Sequence, residues 1–164
     1  MRWKASQSAE PFPQFQEGPM RRVTSLTTAV FVALIGMVAL AQQVTAPADL
    51  DATMKRVGPA AGAANKAVMS AAYADAKAQV AIIRTGIMEA EAFFASKKRE
   101  DGVKFAKDVL ARVAEYDTLL SAATPDQMAL QAAAKQMQGA CAACHMVYRV
   151  RDEAMNWILK PGSV

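Results

Sequence analysis

The sequence predicts an all-α protein, an up-down-up-down antiparallel four-helix bundle. Three observations carry this. The chain is 53% hydrophobic but only 7% aromatic, so its apolar content is mostly Ala, Val, Leu, Ile and Met, and Ala, Leu and Met are good helix formers. Apolar residues recur at spacings of three and four over four successive stretches, which is the period of one helix face. No stretch alternates apolar and polar residues, the pattern of a half-buried strand.

With 164 residues, the chain has room for one domain. Residues 1–19, MRWKASQSAEPFPQFQEGP, are polar, carry proline and show no period, so they read as a mis-assigned or disordered leader. Residues 20–41 read as a secretory signal peptide. Met20-Arg21-Arg22 precedes the apolar run AVFVALIGMVALA, which ends on the small-x-small site Ala39-Leu40-Ala41. That run has 13 residues, against about 20 for a membrane span. Cleavage after Ala41 is therefore expected, with no stable membrane anchor left behind. The remaining domain, residues 42–164, carries 15 Lys plus Arg and 13 Asp plus Glu, a net charge of +2. No basic stripe with interleaved aromatics occurs, which argues against a nucleic-acid partner. Export to the periplasm places both cysteines in an oxidising compartment.

The first helix is predicted over residues 48–70. Leu50, Met54, Val57, Ala61, Ala64 and Val68 recur at spacings of 4, 3, 4, 3 and 4, a heptad seam suited to nearly antiparallel packing. Gly58-Pro59 predicts a kink within it. The second helix, residues 73–96, sets Tyr73, Val80, Ile83, Ile87, Ala90 and Phe94 on one face. KKRED, residues 97–101, places cations at its C-terminal end, and Gly102 is expected to ease the turn. The third, residues 103–122, buries Val103, Ala106, Val109, Val113, Tyr116 and Leu120. The fourth starts at ATPDQ, with Thr124 as N-cap, Pro125 in the first turn and Asp126 at the positive dipole end. It is expected to run to about Leu159, where Lys160-Pro161-Gly162 stop it. Helices of about 20 residues are about 30 Å long. Four of them enclose a core, but an alanine-heavy one stays thin unless something large fills it.

The last helix holds CAACHMVYR, residues 141–149, with both cysteines and the only histidine of the chain. On a helix Cys141 and Cys144 share a face, and His145 lies four after Cys141. Cys-x-x-Cys-His is the attachment signature of a c-type haem. Two thiols add across the two vinyl groups of the porphyrin, and the imidazole reaches the iron from the proximal side. A disulfide or redox-active pair is a second reading of the same thiols, though redox pairs sit at a helix start beside a sheet. Zinc is a third, and would need a fourth ligand beyond these three side chains.

Secretion, four helices and a C-terminal CAACHMVYR together resemble the class II c-type cytochromes, the cytochrome c-prime group. The resemblance covers residues from about 48 to 151. It includes Tyr148-Arg149 after the haem motif, MKRVG (residues 54–58) in the first helix, and EAFFASKKREDGVKFAKDVL at the second break. The terminal EAMNWILKPGSV extends past the usual end. The resemblance implies one covalent haem c with its iron, His145 as proximal ligand and Arg149 paired with a haem propionate. Tyr148 is expected to pack on the macrocycle. Some members of the group leave the distal site open and bind small gases; others donate a methionine sulfur from the first helix. Met54 occupies the matching position. By spacing alone it is a core residue as readily as a ligand, and the match to Met-Lys-x-x-Gly favours ligation.

The expected function is electron transfer between redox partner proteins, not enzymatic turnover. A five-coordinate haem that binds nitric oxide or carbon monoxide is the alternative. A haem-free helical protein with a Cys141–Cys144 disulfide is the other. Trp157 is a candidate membrane-interface or dimer contact. A homodimer through the first two helices is also possible, since Ala60, Ala63 and Ala67 permit close approach.

Overall fold

The computed structural model describes residues 44–164. The leader, the signal segment and the cleavage site after Ala41 lie outside the described residues. Four helices dominate what is described, with one two-stranded sheet of three-residue strands at the end.

α1 spans Pro47–Met69. Asp49 Oδ2 accepts from Thr45 N at 3.2 Å and Ala46 N at 2.9 Å, which secures the start. Gly58-Pro59 does not break the helix. Pro59 lacks the N–H that would bond the Lys55 carbonyl, so the backbone ladder is one bond short there. α2 spans Tyr73–Ser96. α3 spans Glu100–Leu120 and begins three residues earlier than the sequence predicts. The turn is made by Lys98 in the left-handed region, φ 55°, and not by Gly102.

Gly102 instead lies buried inside α3, where an added Cβ would come within 2.4 Å of the Phe94 ring. Its role is close approach between α3 and α2. Gly102→Ala is expected to destabilise the fold by about 1–3 kcal/mol through overpacking, measured by urea unfolding. An unchanged midpoint would mean that Phe94 moves aside freely.

α4 spans Gln127–Tyr148. Its cap is Asp126, not Thr124: Oδ1 accepts from Met128 N at 2.8 Å and Ala129 N at 3.3 Å. Pro125 precedes the cap. α4 also ends well short of Leu159. Arg149 turns extended (φ −119°, ψ 141°), and β1 (Arg149–Arg151) pairs antiparallel with β2 (Trp157–Leu159). Asp152 closes the turn, accepting from Asn156 N at 2.7 Å, while Met155 takes a positive φ of 64°. Val150, Trp157 and Ile158 favour extended backbone, and Leu159 gains a core contact by folding back.

Helices adjacent in sequence pack together, α1 on α2, α2 on α3 and α3 on α4, while α4 also touches α1. The core divides into two clusters. The larger joins Val57, Ala64 and Val68 of α1 to Val80 and Ile83 of α2, Val113 and Tyr116 of α3, and Leu130 and Met137 of α4. The smaller holds Val44, Leu50, Ala90, Phe93, Phe94 and Tyr148. On α1 the seam is rotated slightly from expectation: Thr53 and Ala60 are buried, while Met54 and Ala61 are partly buried. Among the described residues no helix is long and apolar enough to cross a membrane.

Candidate functional site

The inward stripe of α4 reads Leu130, Ala134, Met137, Cys141, Cys144, Tyr148, at helical spacings of four and three. The two cysteines therefore occupy core-facing positions and are partly buried. They fall where the core divides. Cys141 packs on the larger cluster and Cys144 on the smaller. Met54 of α1 packs on both. The folded chain thus gathers the two thiols and the α1 thioether around one division in the core.

Both thiols are free in the structure. Burial pushes the Cys141 thiol up, and burial with the neighbouring Cys141 and Asp101 pushes Cys144 up to about 11. A redox-active pair needs the opposite, a lowered pKa such as a helix N-terminus provides. These thiols lie toward the C-terminal end of α4, where the dipole opposes a thiolate. His145 is half-buried beside them. Burial, then the Arg149 guanidinium, lowers its pKa, which favours the neutral imidazole. Among the described residues no group of three or more His, Cys, Asp or Glu side chains is placed to share a bare ion. A tetrahedral zinc site therefore has no ligand set here.

Arg149 Nη1 lies 3.4 Å from His145 Nδ1. Its guanidinium also sits over the Trp157 indole, 4.6 Å from the centroid, and Arg151 sits over the same ring at 4.2 Å. Arg149 and Arg151 make no ion pair among the described residues. Lys55 pairs with Asp51 at 2.7 Å and Arg56 with Glu89, so neither is uncommitted. Trp157 is 45% exposed and belongs to this arginine cluster. Of the three alanines proposed for a dimer face, Ala60 is buried in the protein's own core. Ala63 and Ala67 line a shallow groove between α1 and α2 with Lys66, Ser70 and Asp75.

Tyr148 closes the site at the end of α4. Its ring packs on Phe94 at 4.6 Å and Phe105 at 6.5 Å, with Arg99 over it at 5.4 Å. Its Oη is buried and, among the described residues, makes no hydrogen bond. The terminal extension, which the sequence left without a role, secures this corner. Lys160 N donates to the Tyr148 carbonyl at 2.8 Å, Arg99 holds the Ser163 carbonyl, and Leu159 packs on the smaller cluster.

Burial, with the Asp101 carboxylate nearby, pushes the Tyr148 phenol up to about 12 from 10.0. The fold therefore favours the neutral phenol. That contribution is complete below pH 10 and is lost as pH rises through about 12. Urea unfolding across this window is expected to show a steeper fall for the wild type than for Tyr148→Phe. Equal slopes would place the phenol in water.

Comparison with known proteins returned no match, whether to family models, to curated proteins or to solved structures. The site is therefore read from its own residues. Those residues are two thiols on one core-facing stripe, an imidazole next to them in sequence, a thioether from α1, and an aromatic wall of Phe93, Phe94 and Tyr148. The sequence offered the thiols, His145 and Met54 as candidates. The wall's closure by the hairpin was not, because three-residue strands are too short to display alternation.

Proposed function

We propose that the chain is a periplasmic monohaem c-type cytochrome that carries single electrons between redox partner proteins. In this reading the four helices run up-down-up-down and antiparallel around one covalent haem. Short connections and the packing of sequence neighbours support that arrangement. The observation that carries the proposal is the α4 stripe, which brings Cys141 and Cys144 to the division in the core where Met54 also packs.

Each Sγ–H would add across one vinyl group, sulfur to one carbon and hydrogen to the other, so attachment requires free thiols and no oxidant. His145 and the Met54 sulfur would hold the iron. When bound, the haem supplies an iron centre that accepts and releases one electron. The chain's own residues then do two things. Phe93, Phe94, Tyr148 and Met137 exclude water from the site, which limits reorganisation when the charge changes. Arg149 and Arg151, without a carboxylate ion pair among the described residues, would supply cationic donors for the propionates.

With the only histidine of the chain holding the iron, none would be left to act as a distal acid–base group. Absorption spectra of the reduced protein test the reading. A low-spin spectrum that resists carbon monoxide is expected. A high-spin spectrum that changes at once on adding the gas would make the protein a gas-binding relative instead.

A further inference from the structure

Thr53 is buried, 1% exposed, and immediately precedes Met54. Its Oγ1 donates to Glu89 Oε2 of α2 at 2.8 Å. Arg56 Nη2 reaches the same Glu89 oxygen and lies 3.2 Å from Thr53 Oγ1. One turn before Glu89, Gly86 leaves a notch in α2. An added Cβ there would come within 2.3 Å of Val57 Cγ2 and 3.3 Å of Thr53 Cγ2. α1 is thus fastened to α2 twice over the same turn, by a steric notch that admits Thr53 and Val57 and by a hydrogen-bonded carboxylate clamp.

Pro59 explains why this turn needs its own fastening. The missing bond to the Lys55 carbonyl weakens the coupling of the first half of α1 to the second. The half that carries Met54 then depends more on what it touches. Thr53, Arg56 and Val57 touch α2, and Met54, one residue round the helix, is left on the core division beside Cys141 and Cys144.

We infer that Gly86, Thr53 and Glu89 are positioning residues for the sixth haem ligand: they set the rotation of α1 that presents the Met54 sulfur. This rests on the cytochrome reading above. It goes beyond it by assigning the choice between a closed and an open sixth site to a contact between α1 and α2, away from the haem itself. The clamp is suited to the task because a buried threonine donating to a carboxylate has a narrow range of good geometries. A methionine alone has three rotatable bonds and specifies little.

The test uses the haem-loaded protein and three variants. Thr53→Val keeps the shape and removes the hydroxyl. Gly86→Ala wedges the helices apart. Arg84→Gln is the control, since it breaks the Arg84–Asp117 pair (2.9 Å) between α2 and α3 without touching α1. Two readouts are taken, the sulfur-to-iron charge-transfer band of the oxidised protein and the affinity for added imidazole. Thr53→Val and Gly86→Ala are expected to weaken the band and raise imidazole affinity about tenfold, the equivalent of one charge-assisted hydrogen bond. Arg84→Gln should leave both unchanged, even if it lowers the unfolding midpoint. Should Gly86→Ala fail to fold, Thr53→Val decides alone. A low-spin wild type whose Thr53→Val variant keeps its band and its imidazole affinity overturns this inference and leaves the cytochrome reading standing. A wild type that is already high-spin overturns both this inference and Met54 ligation.

Discussion

Met54→Ala is expected to convert the haem-loaded protein from low spin to high spin and to open it to carbon monoxide. The reasoning starts from α1. Met54 is partly buried and packs on both core clusters, so its side chain lies at the division where both thiols lie. In the cytochrome reading, its removal would take away the sixth ligand and leave the histidine side untouched. On that reading, gas would bind the wild type only through the minor population whose sulfur has left the iron. If that population is about 1%, removing the sulfur raises carbon monoxide affinity about 100-fold. Loss of thioether ligation also lowers the reduction potential. The cost to folding is smaller, about 2 kcal/mol, at the low end for methionine truncation because the side chain is only partly buried. Titration of the reduced variant with carbon monoxide measures the first effect. A variant that keeps the wild-type spectrum and affinity would return Met54 to the ordinary core.

Cys141→Ala combined with Cys144→Ala is expected to abolish covalent haem entirely. Each single variant should keep one thioether link and His145, and so keep its colour through denaturing electrophoresis. The double variant should lose it. The loss extends to the fold. The core is rich in alanine, and the thiol stripe is where it divides. A covalent haem stays on the unfolded chain as well, so it stabilises the fold through the apolar surface it buries and the side-chain ligands it gains on folding, not by mass action. Thermal unfolding of the double variant should therefore begin well below that of the wild type. Equal melting curves would show that the helices pack to completion without the cofactor.

The four helices were legible because each repeats its apolar residues over several turns. Leu50, Val57, Ala64 and Val68 hold the period for the length of α1, and Ala106 to Leu120 hold it for α3. Local detail followed different physics. Gly102 was read as a turn residue, yet the turn falls to Lys98, and the glycine is there for the Phe94 ring. Thr124 and Asp126 are both good caps by type, and only the geometry of Met128 N and Ala129 N chooses Asp126. The end of α4 was missed because RVRDEAMNWIL has neither glycine nor proline to stop a helix. What stops it is Leu159 packing on the smaller cluster and the Asp152–Asn156 turn, a tertiary gain with no local mark.

The candidate site was legible for a related reason. CAACH is contiguous, so its spacing is visible without a fold. Met54 needed the seam to place it, and Thr53 could have been noticed as a lone polar residue beside that seam. Glu89 and Gly86 could not, since their meaning depends on which face of α2 meets α1.

Intact mass spectrometry tests the account most directly. The chain is produced with its export signal alongside the haem-attachment machinery, purified from the periplasm and denatured before analysis. The account predicts the mass of residues 42–164 plus one haem, with neither Cys141 nor Cys144 open to alkylation. A mass equal to the bare polypeptide, with both cysteines alkylated or with two hydrogens missing for a Cys141–Cys144 disulfide, would contradict it.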